Sequence, residues 1–396
     1  MTELIAIAEA RRRVLAALRP LPTEPVAVAE ALGRVLSEEV QSAISVPPFD
    51  SSAMDGYAVI AGEAAELEVI GESRAGHPAA ISLRPGAAIA ISTGATVPEG
   101  ATAVVPVEHT EPASTGAVRV PDTEPGANIR RAGEDIAAGE VVLRAGDVLA
   151  PAALGVAASV GRGSVSCARR PRVALLVTGD ELTEPGEPLA PGGIYSSNRY
   201  ALAGQVERAG AALVGREHVR DSAESTRAAL GSALDAADVV VVSGGVSVGP
   251  HDHVKDALAD LGAEQRFWGV SLRPGKPVWF GTRGDTLAFG LPGNPVSAMV
   301  TFQLFVRPAL AALQGADPDA SRATALLAQP VARNKRREQA VRVRLAADEG
   351  GWRATPTKGA QGSHVLTSML GADALALIAP GEGEAPAGER VEVELL

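Results

Sequence analysis

Asp238-Val-Val-Val-Val242, running directly into Ser243-Gly-Gly-Val-Ser-Val-Gly249, is the stretch on which the reading of the fold turns. An unbroken run of β-branched residues bounded by glycines describes a strand buried on both faces, unlike the alternating strand of a half-solvated sheet. The same grammar recurs on either side. Arg172-Val-Ala-Leu-Leu-Val177 precedes Thr178-Gly179, and Thr286-Leu-Ala-Phe289 precedes Gly290-Leu-Pro-Gly293. Each run ends in a glycine-containing loop and passes into a helical stretch. The pattern predicts a parallel sheet covered by helices on both faces, with ligands bound beyond the carboxyl ends of the strands.

Away from this centre the texture changes. Leu4, Ala8, Val14, Leu15 and Leu18 recur at helical spacing until Pro20, and Val26 to Val40 reads as a second helical stretch around Ala31-Leu32. From about Val46 to Pro151, short β-type runs such as Leu67–Ile70, Ala88–Ile91 and Ala103–Val105 are punctuated by Gly and Pro, predicting a β-rich domain. From about Pro318, alternating segments such as Val341–Leu345 and Val391–Leu395 predict a small all-β domain.

Composition bounds the function. The 396 residues, 46% hydrophobic and 21% charged, suit several soluble domains. A net charge of −11 opposes broad binding to nucleic acid, which needs a basic surface. The basic run Arg333-Asn-Lys-Arg-Arg337, with Arg342 and Arg344 beyond it, lacks interleaved aromatics and reads as a solvated hairpin. The single cysteine, Cys167, excludes an intramolecular disulfide and points to a reducing compartment. The first twenty residues mix charges among apolar positions, which is not a signal-peptide pattern. The greasiest stretch, Ala298 to Val306, is too short to span a bilayer.

Several motifs carry chemistry, each beside a plainer reading. The glycines of Ser243–Gly249 let backbone N–H groups converge on an anion, although a tight strand-to-helix turn needs the same residues. Gly245-Val-Ser247-Val-Gly249 also fits the nucleophile elbow of hydrolases, but the one histidine far enough downstream, His364, falls in the C-terminal β region. His251-Asp252-His253 is too tightly turned for a shared ion. Asp252 alone is placed either to hold Mg²⁺ beside ligand phosphates or to cap a helix. Arg273-Pro-Gly-Lys276-Pro277 is not a Walker A loop, since Pro277 replaces the Ser or Thr that would bind the metal. It is instead a stiff turn presenting two cations to an oxyanion. Gly290-Leu-Pro-Gly-Asn-Pro295 is a second stiff turn, from which Pro can begin a helix. Asp55, Glu134-Asp135 and Asp180-Glu181 sit in carboxylate-bearing loops, and Asp221 could cap the helix after it.

Taken in order, these segments resemble the MoeA family, which includes the E domain of gephyrin. The resemblance runs through Val46-Pro-Pro-Phe-Asp-Ser-Ser-Ala-Met-Asp-Gly-Tyr-Ala58, Ser92-Thr-Gly-Ala95, Arg131-Ala-Gly-Glu-Asp-Ile136 and Thr178-Gly-Asp-Glu-Leu182. It continues through Ser197-Asn198, Ser243–Gly249, Pro274-Gly-Lys-Pro277, Gly290–Ala298 and Gln361-Gly-Ser363. It implies a multidomain α/β and β protein with four units. These are N-terminal helices and a linker domain at 1–45 and 137–170, a β-rich insertion at 46–136, an α/β molybdopterin-binding domain at 171–316, and a C-terminal β-barrel at 317–396.

The family's reaction inserts molybdate into adenylylated molybdopterin with release of AMP, the final step of molybdenum cofactor synthesis. By resemblance, the chain is a Mg²⁺-dependent cytoplasmic transferase and an elongated homodimer with a composite active site, with the molybdopterin adenylyltransferase as a partner. Asp55, Asp135, Glu181, Asp221, Asp252 and Lys276 match the positions that carry activity, with Glu181, Asp221 and Asp252 implied as the Mg²⁺ carboxylates. Thr178, Gly179, Asp180, Ser243, Gly244, Gly245, Ser247, Arg273, Pro292, Gly293, Asn294 and Pro295 are implied to bind substrate. The chain departs from the family's usual residues at Thr102, Arg273 and Asp373. Two rivals remain at this level, adenylylation of molybdopterin and a scaffold without turnover, and molybdate and tungstate are not distinguished.

Overall fold

The computed structural model describes residues 4–247, 249 and 252–396. Its centre is a six-stranded sheet built from β1 (Arg172–Thr178), β2 (Ala212–Val219), β3 (Val239–Ser243), β4 (Glu264–Trp268), β5 (Trp279–Arg283) and β6 (Thr286–Leu291). The strand order is β2-β1-β3-β6-β5-β4. The first four are parallel, as the buried apolar runs predict. The last two are not: β5 runs antiparallel to β6, which returns from it, and β4 pairs antiparallel with β5, so the expected parallel sheet is a mixed one. The reason is local, because Arg283 pairs with Thr286 across the two-residue turn Gly284-Asp285, with Gly284 at φ +57°.

Both faces of the sheet are covered, and strand alternation sorts the side chains between them. Val173, Leu175, Val239, Val241, Leu287 and Phe289 enter one core, whereas Ala174, Leu176, Val240, Val242 and Ala288 enter the other. The first core receives α1 (Ile7–Ala16), α3 (Ser197–Arg208), α6 (Pro295–Thr301) and α7 (Arg307–Leu313). The second receives α4 (Ala223–Ala236) and α5 (Val254–Asp260). A π-helical turn at Phe302–Val306 joins α6 to α7. The resulting helix Pro295–Leu313 is, among the described residues, long and apolar enough to cross a membrane, but 78% of its apolar window is buried as a core element of this domain.

The N-terminal region corrects one expectation. The stretch around Ala31-Leu32 is not an α-helix: Thr23–Ala27 is a strand paired antiparallel with Ser164–Ala168, and only Val28–Glu30 makes a single 3₁₀ turn. Pro25 and the β-branched Val26 and Val28 disfavour a helix, and Gly33 at φ +71° ends the turn. α2 (Pro151–Ser159) packs beside this pair. α1 is helical as expected, but its buried face is Ile7, Ala10, Arg11 and Val14. Arg11 is tolerated there because its guanidinium reaches Asp319 at 2.6 Å and the buried Glu394 at 3.5 Å.

The β-rich segment forms a six-stranded sheet in which Gly56–Val59 lies between the edge strand Ala103–Pro106 and Ala87–Ile91. At the C-terminus, Arg322–Leu327, Glu338–Asp348, Gly351–Pro356, Ala374–Ile378 and Arg390–Leu395 close on themselves, because Glu338–Asp348 pairs with both Gly351–Pro356 and Ala374–Ile378. The ring is the expected barrel. Leu272–Arg273 adds to it in parallel at Glu338-Gln339 and so ties the Arg273–Pro277 turn to the barrel. The basic run is absorbed locally: Arg333 pairs with Glu389, Lys335 with Glu382, and the Arg336 and Arg337 amides donate to Asn334.

Candidate functional site

β1, β3 and β6 end side by side, and their following loops share one cleft of about 540 Å³. The close approach of these strand ends requires glycine for a steric reason. A Cβ on Gly244, at φ +100°, would stand 2.6 Å from Thr178 Oγ1 and 2.9 Å from the Thr178 carbonyl oxygen. One on Gly245 would meet Val254 at 2.7 Å, and one on Gly290 would meet Val246 at 2.5 Å. Absence of side chains therefore lets the strand ends close to backbone contact, and the Gly244 amide donates to the Leu291 carbonyl at the end of β6 at 3.1 Å.

The N-terminus of α3 locks the loops together. Asn198 Nδ2 donates to Ser243 Oγ at 2.9 Å and to the Gly293 carbonyl at 2.7 Å, while Ser243 Oγ donates to the Pro292 carbonyl at 3.1 Å. Behind the β3 loop, Trp268 Nε1 donates to the Val246 carbonyl at 2.9 Å. Lys255 lies over the Trp268 ring, 4.8 Å from its centroid, and donates to the Ser247 carbonyl. Asn198, Lys255 and Trp268 received no role from the sequence; Asn198 at least stood in a quoted motif.

Of the residues singled out by sequence, Thr178, Gly179, Glu181, Asp221, Ser243, Gly244, Gly245, Ser247, Asp252, Pro292, Gly293, Asn294 and Pro295 line this cleft. Asp180 is adjacent and makes a reciprocal contact with Asp221: the Asp180 amide donates to the Asp221 carboxylate and the Asp221 amide to the Asp180 carboxylate, both at 3.2 Å. Asp221 thus does not cap α4; Ser222 does, accepting from the Ser225 amide. Asp252 is not the cap of α5 either. His253 occupies that position, and the Asp252 carboxylate accepts from the Gly249 amide at 2.7 Å, closing its own turn. His251 lies outside the described residues.

Lys276 and Arg273 are exposed and outside the cleft lining, though Pro277 belongs to it. Their turn requires glycine, since a Cβ on Gly275 would sit 2.5 Å from Thr301. The Lys276 carbonyl accepts from the Val270 and Val278 amides, both at 3.0 Å. Asp55 and Asp135 are also exposed and lie outside the lining. The structure nevertheless joins their two segments. Asp50 accepts from Arg131 at 2.6 Å and from the Ala132 amide at 2.9 Å, and these hydrogen bonds, the backbone one foremost, hold its carboxyl below the usual range. The Asp135 amide donates to the Val46 carbonyl at 3.0 Å, and Asp55 accepts from the Thr93 amide at 2.7 Å.

The barrel reaches the cleft as well. The Val296 amide, at the start of α6, donates to the Ser363 carbonyl at 3.1 Å, so Gln361-Gly-Ser363 abuts the loop that carries Asn294. Behind it lies Arg342, which the lack of interleaved aromatics places in a solvated hairpin. It is only 1% exposed, and donates to Ser368 Oγ, the Ala340 carbonyl and the Gly362 carbonyl. Burial pulls its guanidinium down to about 10. Arg344, on the same strand face, stays exposed, because the segment 357–369 covers only Arg342.

Among the described residues no three His, Cys, Asp or Glu side chains are grouped to hold a metal ion. Glu181, Asp221 and Asp252 nonetheless line one cleft. That suits Mg²⁺, which is held by one or two carboxylates plus ligand phosphates and water, and does not suit an all-protein cage. For a serine hydrolase, Ser247 stands on the right kind of turn, but His218 Nε2 is engaged with the Gly179 carbonyl at 2.7 Å and His364 lies in the barrel.

Comparison with known proteins follows the same lines. Family models match the MoeA N-terminal region (domain I and II) at residues 5–161, a probable molybdopterin binding domain at 174–312, and the MoeA C-terminal region (domain IV) at 324–396. The chain is 36% identical to a molybdopterin molybdenumtransferase of Haemophilus influenzae, over 99% of this chain and 98% of that one. It is 37% identical to molybdopterin molybdenumtransferase 2 of Mycobacterium tuberculosis, over 98% of each. Among solved structures, the molybdopterin biosynthesis MoeA protein from Pyrococcus horikoshii superposes with a TM-score of 0.82 at 30% identity, with 100% of both chains covered.

Proposed function

The chain belongs to the MoeA family, and on that premise we propose that it is a molybdopterin molybdenumtransferase that inserts molybdate into adenylylated molybdopterin and releases AMP. The observation that carries this reading is the meeting of the Thr178–Glu181, Ser243–Ser247 and Pro292–Pro295 loops at one cleft, knit together by Asn198. Loops of this kind at the carboxyl ends of α/β strands bind phosphates through backbone N–H groups.

The β3 loop receives the phosphates of the substrate, and the rigid Asn294-Pro295 turn bounds the pterin side. Glu181, Asp221 and Asp252 are the residues that would hold Mg²⁺, which when bound neutralises charge developing on the phosphoanhydride. Lys276, with Arg273, captures the molybdate oxyanion by charge-assisted hydrogen bonds. Cleavage of the anhydride supplies the driving force for insertion.

Asp55 and Asp135 stand outside the cleft of their own chain, which favours a homodimer in which they complete the site of the second copy. The four-unit division at 1–45 with 137–170, 46–136, 171–316 and 317–396 is part of the same reading. So are a cytoplasmic location, in keeping with the single buried Cys167, and receipt of the unstable adenylylated substrate from the adenylyltransferase. The deciding experiment incubates the protein with adenylylated molybdopterin, Mg²⁺ and either molybdate or tungstate, and measures AMP and active cofactor. AMP and cofactor formed together support the reading; AMP without cofactor removes it.

A further inference from the structure

The β1 loop owes its shape to a residue that does not itself line the cleft. Gly179 is buried with φ +146°, and the Glu181 carboxylate folds back over it so closely that a Cβ there would lie 2.6 Å from a Glu181 oxygen. The Gly179 carbonyl accepts two hydrogen bonds, from the Leu182 amide at 3.2 Å and from His218 Nε2 at 2.7 Å. A carbonyl can only accept, so Nε2 carries the proton in this contact. His218 is delivered by strand pairing: β2 lies parallel to β1 with Val177 opposite His218 and Thr178 opposite Val219. Beyond it Asp180 and Asp221 close the reciprocal amide–carboxylate contact.

We infer that His218 is a positioning residue, whose hydrogen bond to the Gly179 carbonyl holds the Thr178–Leu182 turn in the form that aims Glu181 into the cleft. The inference rests on the proposed role of Glu181 and deepens it. The turn is short and rich in exposed polar groups, and Gly179 gives it more backbone freedom than any other residue would. His218 supplies the shortest hydrogen bond to the peptide plane between Gly179 and Asp180, at 2.7 Å against 3.2 Å for the Leu182 amide and for the Asp221 carboxylate, and without it that plane is held more loosely and Glu181 with it.

The test compares His218→Leu with His218→Gln, whose amide nitrogen can reach the place of Nε2, in the full-length protein. His218→Leu is expected to lower kcat for AMP release at least tenfold with KM changed less than threefold. Exchange of the Asp180 and Leu182 amide hydrogens is expected to accelerate at least tenfold in the absence of substrate. His218→Gln is expected to restore both within threefold. In a Glu181→Gln background the loss from His218→Leu should shrink below threefold, since the two residues act through one carboxylate. Unchanged amide exchange, or a full tenfold loss persisting in the Glu181→Gln background, overturns the inference. A Glu181→Gln protein that is itself fully active instead removes the role of Glu181 in the proposed function, while the exchange measurement still decides whether His218 holds the turn.

Discussion

A single side-chain nitrogen, Asn198 Nδ2, donates to Ser243 Oγ at the end of β3 and to the Gly293 carbonyl beyond β6, so the first turn of α3 holds two strand-end loops in one register. Asn198→Leu removes both donors without adding charge; leaving the part-buried Ser243 hydroxyl without its donor costs about 1–3 kcal/mol, while the exposed Gly293 carbonyl can turn to water. The kcat/KM for AMP release should fall by about 10- to 100-fold. Asn198→Asp should do worse, because it sets a carboxylate against the Gly293 carbonyl oxygen, which can only accept, and competes for the Ser243 hydroxyl that donates to the Pro292 carbonyl. An Asn198→Asp protein with the kinetics of the parent would show that the loops hold without this link.

Gly244→Ala should abolish AMP release and lower Tm, because the added methyl collides with the Thr178 backbone oxygen, which cannot rotate away. A non-glycine residue in such a conformation costs a further 1–3 kcal/mol or so. Gly262→Ala is the matched control. Its φ is also positive, at +81°, but a Cβ there meets nothing within 4 Å. It should lose only about 1–2 kcal/mol of stability and keep its activity. Equal activity losses in the two variants would argue against the close approach of the loops.

Asp238 predicts a pH dependence. Burial opposes ionisation of its carboxyl, but hydrogen bonds from Arg169 at 2.9 Å and from the Arg172 amide at 2.7 Å outweigh it and lower the folded pKa. A group with a depressed folded pKa contributes stability that is fully present above its unfolded value, about 3.9, and is lost as pH falls through the folded value. Asp238→Asn should therefore cost about 2–3 kcal/mol at pH 7, with the gap to the parent closing below about pH 4. Denaturant titrations at pH 7 and pH 3 measure this. A gap of constant size would mean that the ion pair with Arg169 contributes nothing.

Lys276→Ala should leave the fold intact and raise the molybdate concentration needed for half-maximal cofactor formation, with partial recovery at high molybdate. The lost cation weakens capture of the oxyanion more than it alters the rigid turn around Gly275. Unchanged activity at limiting molybdate would remove Lys276 from the site.

Mixing two inactive variants tests the composite site. If Asp55 of one copy serves the cleft of the other, an Asp55→Asn/Lys276→Ala mixed dimer has one site with both lesions and one with neither. Random pairing makes about half the dimers mixed, so co-expression should restore roughly a quarter of the parent activity. Activity no higher than that of the separate variants, with mixed dimers demonstrated by tag pull-down, would place both residues in a site of one chain.

Much of this protein could be read from its sequence because the information is local. The all-apolar runs at 173–177, 239–242 and 287–289 announce doubly buried strands, and the glycines after them announce loops open to an anion. Local pattern failed where a distant segment changed the outcome. Val26 to Val40 carries helical spacing, but Ser164–Ala168 offers Thr23–Ala27 a strand partner more than a hundred residues away. Arg342 carries the alternation of a surface strand, but the segment 357–369 folds over it and leaves it 1% exposed.

The sequence by itself thus determined the α/β class, the positions of the strand-end loops and the family's motifs in order, because backbone sterics and side-chain periodicity act over a few residues. Only the tertiary structure decided which motif residues share a cleft. It set Asp221 on the Asp180 amide and Asp252 on the Gly249 amide, where either could have capped a helix. It brought Asn198, quoted in a motif without a role, and His218, in no motif at all, onto the loops. Such contacts depend on strand order and on which side of a turn a carbonyl faces, and these are settled by packing across the whole sheet and by no short stretch of residues.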